Sequence, residues 1–236
     1  DILSLSESLT NISCNGASDG TIDITVNGGT KDYSYLWSTT NGSGLDSLEE
    51  DQNGLGPGTY KIVVTDDNAY KIQKSFIISQ PDTLSITDLL TNISCNGASD
   101  GSIDITISGG TKDYSYLWST TNGRGLDYNA QDQSGLGPGI YKVLVTDANG
   151  CLKEDSFEIY EPIIIKIDAS IGKLSCNGDN DGSIDMTISG GTKDYSYLWS
   201  TTNGSGLDYD AQDQSGLGPG TYKVIVTDSN GCKMEN

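Results

Sequence analysis

Apolar and polar residues alternate with a period of two in short bursts along this chain, and no stretch shows a 3.6-residue apolar period. Alternation of this kind marks strands with one face buried. In SIDITIS (residues 102–108), Ile103, Ile105 and Ile107 share one face, while Asp104 and Thr106 share the other. Tyr114, Tyr116 and Trp118 alternate with Ser115, Leu117 and Ser119, which predicts an aromatic strand. A polar loop, TTNGRGLDYNAQDQSG, follows, with room for one or two short edge strands. Tyr141, Val143 and Val145 then alternate with Lys142, Leu144 and Thr146. Residues 84–87 predict a short first strand, residues 156–160 a last one, and Asp147-Ala148-Asn149-Gly150 a turn.

The same pattern is written three times. SCNGASDG, SCNGASDG and SCNGDNDG begin at Ser13, Ser94 and Ser175, 81 residues apart, and GGTKDYSYLWSTTNG and GLGPG keep the same spacing. Residues 92–151 and 173–232 are identical at 50 of 60 positions. A fixed period this long denotes an array of small units. We expect units at 1–80, 81–161 and 162–236, with the last strand missing from the third, so that the chain reads as a piece of a longer protein. Six or seven short strands per unit predict an all-β fold of three tandem immunoglobulin-like sandwiches. GLGPG before Tyr60, Tyr141 and Tyr222 predicts a tyrosine corner, in which the phenol bonds back to upstream backbone. FEIYEPIIIKI and SFIISQPDTLSI join the units with no flexible linker, and their prolines stiffen the joints, which predicts an elongated rod.

Composition narrows the function classes. The net charge of −20 disfavours nucleic acid and anionic membrane surfaces. No run of 18 apolar residues predicts direct membrane insertion. With no histidine there is no His-based triad or His metal ligand, and the Gly-rich strings are turns with no helix behind them, so we expect no enzyme.

The ordered string CNG…DGSIDITISGG…YSYLWS…GLGPGxYKVxVTDxNGC resembles the SprB-type repeat, whose Y-x-V-x-V-T-D ending is shared with PKD-type sandwiches. These repeats build very large surface adhesins of gliding Bacteroidetes, exported by type IX secretion. The resemblance covers nearly the whole chain. It implies an extracellular, outer-membrane-attached filament of the bacterial surface, with a surface or polysaccharide and the adjacent repeats as its partners. Two departures stand out: Tyr70 where the other copies carry Cys151 and Cys232, and Asp32, Asp113 and Asp194 where the family often has proline.

An exported protein would let its five cysteines oxidise. Pairing within a unit would join Cys95 to Cys151 and Cys176 to Cys232, leaving Cys14. The sandwich topology argues otherwise. The second and penultimate strands run the same way, so these cysteines lie at opposite ends of a unit, on the order of 25 Å apart. A disulfide needs Cα atoms within about 7 Å. Units meeting end to end instead bring Cys14 to Cys151 and Cys95 to Cys232, and leave Cys176 for a following repeat. Tyr70 then fits a first unit with no cysteine-bearing neighbour before it. Reduced, buried thiols are the remaining alternative.

The same geometry places Asp19 near Asp147 and Asp100 near Asp228, a candidate Ca²⁺ set at each joint, although Asp-Gly and Asp-x-Asn-Gly also simply make turns. No cofactor is required otherwise. Asp46-Ser47-Leu48 and Asp82-Thr83-Leu84 match the Bacteroidetes O-glycosylation pattern at Ser47 and Thr83. Asn11, Asn41, Asn92 and Asn203 lie in N-x-S sequons that we expect to be silent. Tyr33, Tyr35 and Trp37 read as core, while Tyr128 and Tyr209 are the better exposed candidates for stacking on sugars. The expected function is a non-catalytic structural and adhesive segment. A carbohydrate-binding array, or spacers within a secreted polysaccharide-degrading enzyme, are the alternatives.

Overall fold

The computed structural model describes residues 1–236. Copy one forms β1 (Ser4–Thr10), β2 (Gly20–Asn27), β3 (Ser34–Thr39), β4 (Gln52–Leu55), β5 (Gly58–Thr65) and β6 (Lys71–Ile78). Copy two forms β7 (Ser85–Thr91), β8 (Gly101–Ser108), β9 (Ser115–Thr120), β10 (Gln133–Leu136), β11 (Gly139–Thr146) and β12 (Leu152–Ile159). Copy three forms β13 (Lys166–Gly172), β14 (Gly182–Ser189), β15 (Ser196–Thr201), β16 (Gln214–Leu217), β17 (Tyr222–Thr227) and β18 (Lys233–Glu235). No helix is present.

Each copy supplies two three-stranded sheets, in copy one β1-β2-β4 and β3-β5-β6. This is the immunoglobulin arrangement of strands A, B and E facing C, F and G, so the chain is a tandem array of immunoglobulin-like sandwiches. β1 pairs antiparallel with β2 from Ser4↔Asn27 to Thr10↔Thr21, and β3 with β5 from Ser34↔Thr65 to Thr39↔Tyr60. The chain divides into two compact units, Asp1–Thr87 with Ile105–Leu117 and Val143–Asp155, and Asp88–Asp104 with Trp118–Lys142 and Ser156–Asn236.

Alternation works as the pattern predicts on the inner strands. Ile22 and Ile24 on β2 are buried with Tyr60, Ile62 and Val64 on β5, around Trp37. Each fully buried aliphatic side chain contributes about 1.5–3 kcal/mol. Edge strands differ. β7 runs to Thr91 rather than Thr87, and β12 begins at Leu152 rather than Ser156. Their extra residues are mostly exposed, so backbone pairing extends them where apolar periodicity is silent. The polar loop ends in a four-residue strand whose first residue, Gln52, is buried; its side chain accepts from Asp46 N–H (2.9 Å) and donates to Asp46 C=O (2.7 Å).

The tyrosine corner forms in all three copies. The Tyr141 hydroxyl lies 2.8 Å from Gly137 C=O and 2.9 Å from Arg124 C=O, and accepts the Arg124 N–H at 3.0 Å. Tyr60 and Tyr222 repeat this against Gly56 and Ser43, and against Gly218 and Ser205. Tyr141→Phe strands buried backbone groups, and we expect it to cost about 1–3 kcal/mol in urea unfolding. A loss below about 0.5 kcal/mol would show that the hydroxyl is not what fixes this loop.

Candidate functional site at the cross-copy joints

Two disulfides link different copies. Cys14 bonds Cys151 with Cα atoms 5.6 Å apart, and Cys95 bonds Cys232 at 5.5 Å. Cys176 is free and exposed. Each bond lies within one compact unit.

The turn that delivers the second cysteine is built on a buried aspartate. Asp147 Oδ2 accepts the Thr111 N–H (2.8 Å), and Oδ1 accepts those of Asn149 and Cys151 (both 2.9 Å). Burial pushes this carboxyl upward, but the backbone donors of Thr111, Cys151, Asn149 and Gly150 outweigh it and hold the pKa below its ordinary 3.8. Asp228 makes the matching contacts with Thr192, Asn230 and Cys232. Asp66 does the same with Thr30, Asn68 and Tyr70, so copy one builds the identical turn but presents Tyr70, which is 70% exposed.

Asn149 reaches from this turn across the joint and donates from Nδ2 to Ser13 C=O at 3.0 Å. Ser13 N–H donates to Asp19 Oδ1 at 3.1 Å. Asp147, Asn149, Ser13 and Asp19 therefore form one hydrogen-bond chain beside the Cys14–Cys151 bond. Asp228, Asn230, Ser94 and Asp100 repeat it beside Cys95–Cys232, with Asn230 to Ser94 C=O at 3.1 Å. The hydroxyl and then the N–H of Ser13 and Ser94 hold the exposed Asp19 and Asp100 carboxyls below 3.8. These four aspartates were the candidate calcium set. The Oδ1 atom of each accepts a backbone N–H, and no group of three or more His, Cys, Asp or Glu side chains is arranged to hold a metal.

A second clasp runs along the connecting segment. Asn15 Nδ2 donates to Pro81 C=O (2.9 Å), Gly16 N–H to Gln80 Oε1 (2.9 Å), and the Thr83 hydroxyl to Asn15 Oδ1 (3.0 Å). At the next joint Asn96 donates to Pro162 C=O (3.0 Å) and Gly97 N–H to Glu161 (2.8 Å). Sequence reading passed over Asn15, Asn96, Gln80, Glu161, Asn149 and Asn230. Their signal was there: Asn-Gly after the cysteine and Gln/Glu before the proline recur at the 81-residue period.

The other singled-out residues have ordinary places. Thr83 carries the clasp hydroxyl, and Ser47 is exposed with its carbonyl accepting the Trp37 N–H. The Asn11 and Asn92 side chains accept the N–H of Ser79 and Tyr160, and those of Asn41 and Asn203 accept Thr59 and Thr221 N–H, so all four sequon side chains are structural. Trp37 is buried; Tyr33 and Tyr35 are half-buried, and burial followed by the Glu50 carboxylate pushes the Tyr35 phenol up to about 12. Tyr128 and Tyr209 are 60% exposed.

Fold and joints together define a tandem-sandwich structural repeat protein. The SprB repeat model matches three stretches of the chain, residues 6–42, 87–123 and 173–204, one in each copy. No curated protein matches it in sequence. Among solved structures, a C-terminal 282-residue fragment of intimin in complex with the intimin-binding domain of the translocated intimin receptor is 17% identical, over 68% of this chain and 67% of that one, with a TM-score of 0.36. The Dpr2 Ig1-Ig2 complex with DIP-Theta Ig1-Ig3 is 9% identical over 100% and 98% (TM-score 0.34), and domains 7, 8 and 9 of the S-layer protein SbsC are 10% identical over 86% and 78% (TM-score 0.24).

Proposed function

We propose that this chain is a load-bearing, adhesive segment of a bacterial cell-surface filament of the gliding-motility type, exported by type IX secretion and bearing on an extracellular surface or polysaccharide. The overlap of the two cross-copy disulfides supports this reading. The spans Cys14–Cys151 and Cys95–Cys232 interlock. The shortest covalent path from Asp1 to Asn236 follows residues 1–14, crosses to Cys151, returns to Cys95, crosses to Cys232 and continues to the end. That path is about a third of the chain, so the ends separate by at most roughly 270 Å, against roughly 830 Å for the open chain. Most of copies one and three, residues 15–94 and 152–231, is off the covalent load path. This property suits a tether, and neither catalysis nor glycan binding calls for it. Cys176, the counterpart of Cys14 and Cys95, is the natural bonding point for the cysteine of a further repeat.

Single-molecule pulling from both ends tests it. The oxidised chain stops lengthening at about a third of the contour reached by the reduced one. Equal contours in both states would remove the support, and specific capture of one glycan by the unloaded chain would favour the carbohydrate-binding alternative.

A further inference from the structure

Each joint carries an asparagine followed by glycine, Asn15-Gly16 and Asn96-Gly97. Such a pair is chemically labile, because a glycine nitrogen can approach the asparagine side-chain carbon with no side chain of its own in the way. Neither pair is shielded by burial. All four residues are exposed, and a Cβ on Gly16 or Gly97 would meet nothing within 4 Å. Hydrogen bonds hold both reacting groups instead. Gly16 N–H, the nucleophile, donates to Gln80 Oε1 (2.9 Å), and Asn15 Nδ2, the leaving group, donates to Pro81 C=O (2.9 Å). The Thr83 hydroxyl donates to the remaining oxygen, Asn15 Oδ1 (3.0 Å). At the second joint Gly97 N–H donates to Glu161 Oε2 (2.8 Å) and Asn96 Nδ2 to Pro162 C=O (3.0 Å). Arg124, the single arginine of the chain, adds a further hold there. Its guanidinium donates to Gly97 C=O (3.4 Å), Ala98 C=O (3.3 Å) and the Ser99 hydroxyl (3.1 Å).

We propose that Asn15 and Asn96 are deamidation sites that the closed joints guard. In a closed joint the glycine nitrogen keeps its proton and points at its acceptor, so it does not attack. In an opened joint that nitrogen gives its proton to solvent base and bonds to the asparagine Cγ. The Cγ–Nδ2 bond breaks, ammonia leaves, and a succinimide ring remains. Water then opens the ring to aspartate or isoaspartate. The net change is one water taken up and one ammonia released, with no oxidation or reduction. The product does not restore the joint. A carboxylate oxygen stands where Nδ2 donated, so two acceptors face each other at Pro81 or Pro162 C=O, and neither is satisfied. Isoaspartate also adds a methylene to the main chain, which displaces the glycine N–H from Gln80 or Glu161. Local opening takes less free energy than unfolding of the whole chain, so each joint keeps a permanent chemical record of having opened.

The test incubates the whole chain in mildly alkaline buffer below its thermal transition and measures aspartate and isoaspartate at each asparagine by peptide mass spectrometry. The reduced and alkylated chain should deamidate at Asn15 and Asn96 roughly tenfold faster than the oxidised chain, because joints without disulfides open more readily. Asn41-Gly42 is the internal reference. Its Oδ1 accepts the Thr59 N–H (2.9 Å) and Gly42 N–H donates to the Thr39 hydroxyl (2.9 Å), both within one sandwich, so its rate stays the same. Arg124→Ser installs the residue type that the other copies carry at Ser43 and Ser205. In the oxidised chain it should speed Asn96 by roughly threefold and leave Asn15 unchanged. Equal rates at Asn15 and Asn96 in the oxidised and reduced chains, or an Asn96 rate unmoved by Arg124→Ser, overturns the proposal. If Asn41 accelerates along with them on reduction, the whole chain has loosened, and the Arg124→Ser comparison in the oxidised chain decides.

Discussion

Reduction of both disulfides lowers the thermal transition of the chain by roughly 5–15 °C. Each bond closes a span with a sequence separation of 137 residues. In the chain-entropy view, cross-links over spans this long restrict the unfolded ensemble strongly, and losing one costs about 2–5 kcal/mol. The bonds also separate by unit: Cys14→Ser with Cys151→Ser loosens the first compact unit, and Cys95→Ser with Cys232→Ser the second. Calorimetry of the two double variants resolves the two losses. Unchanged transitions on reduction would mean that the hydrogen-bonded clasps alone hold the joints. Peptide mapping without reductant should recover Cys14 linked to Cys151.

Asp147→Ala is the side-chain change with the largest expected cost, about 3–5 kcal/mol. Three backbone N–H groups at 2.8–2.9 Å lose their acceptor in a site where Asp147 is 5% exposed. The turn carries both Cys151 and Asn149, so disorder there reaches the joint. Asp147→Asn keeps one acceptor oxygen and should cost about half as much. The sign with pH follows from the depressed carboxyl. The stabilisation is complete above the unfolded pKa of 3.8 and is lost as pH falls below 3.8 through the folded value. Urea midpoints measured from pH 7 down to pH 2 should show this acid loss, with a smaller slope in Asp147→Asn. An Asp147→Ala midpoint within 1 kcal/mol of the parent would refute the role given to the carboxylate.

The two joints explain why the copies differ where they do. Copy one keeps the aspartate turn through Asp66 and the asparagine after it, Asn68, but carries Ala69-Tyr70 in place of glycine and cysteine. The turn is needed for the sandwich, because it satisfies the loop's own donors. The cysteine serves a neighbour, while the asparagine also bonds within its own copy, Asn68 to Thr30 and Asn149 to Thr111. Substitution can therefore remove the second function and spare the first.

Much of this was legible without coordinates. Period-two alternation marked the buried strands because inner positions such as Ile103, Ile105, Val143 and Val145 must be apolar. The 81-residue repeat marked the three sequence copies, and the direction of the second and penultimate strands set the two cysteine families at opposite ends of a sandwich. The full length of the edge strands stayed hidden, because the outer parts of β7 and β12 are held by main-chain pairing and their exposed side chains carry no pattern. The task of the joint aspartates was also undetermined: an Asp beside a turn is a cation ligand or an N–H acceptor according to what faces it, and only folding places Thr111, Asn149 and Cys151 around Asp147. Local residues and their period determined the strands, turns and copies; the meeting of segments far apart in the chain decided which bonds cross the joints and what faces the joint aspartates.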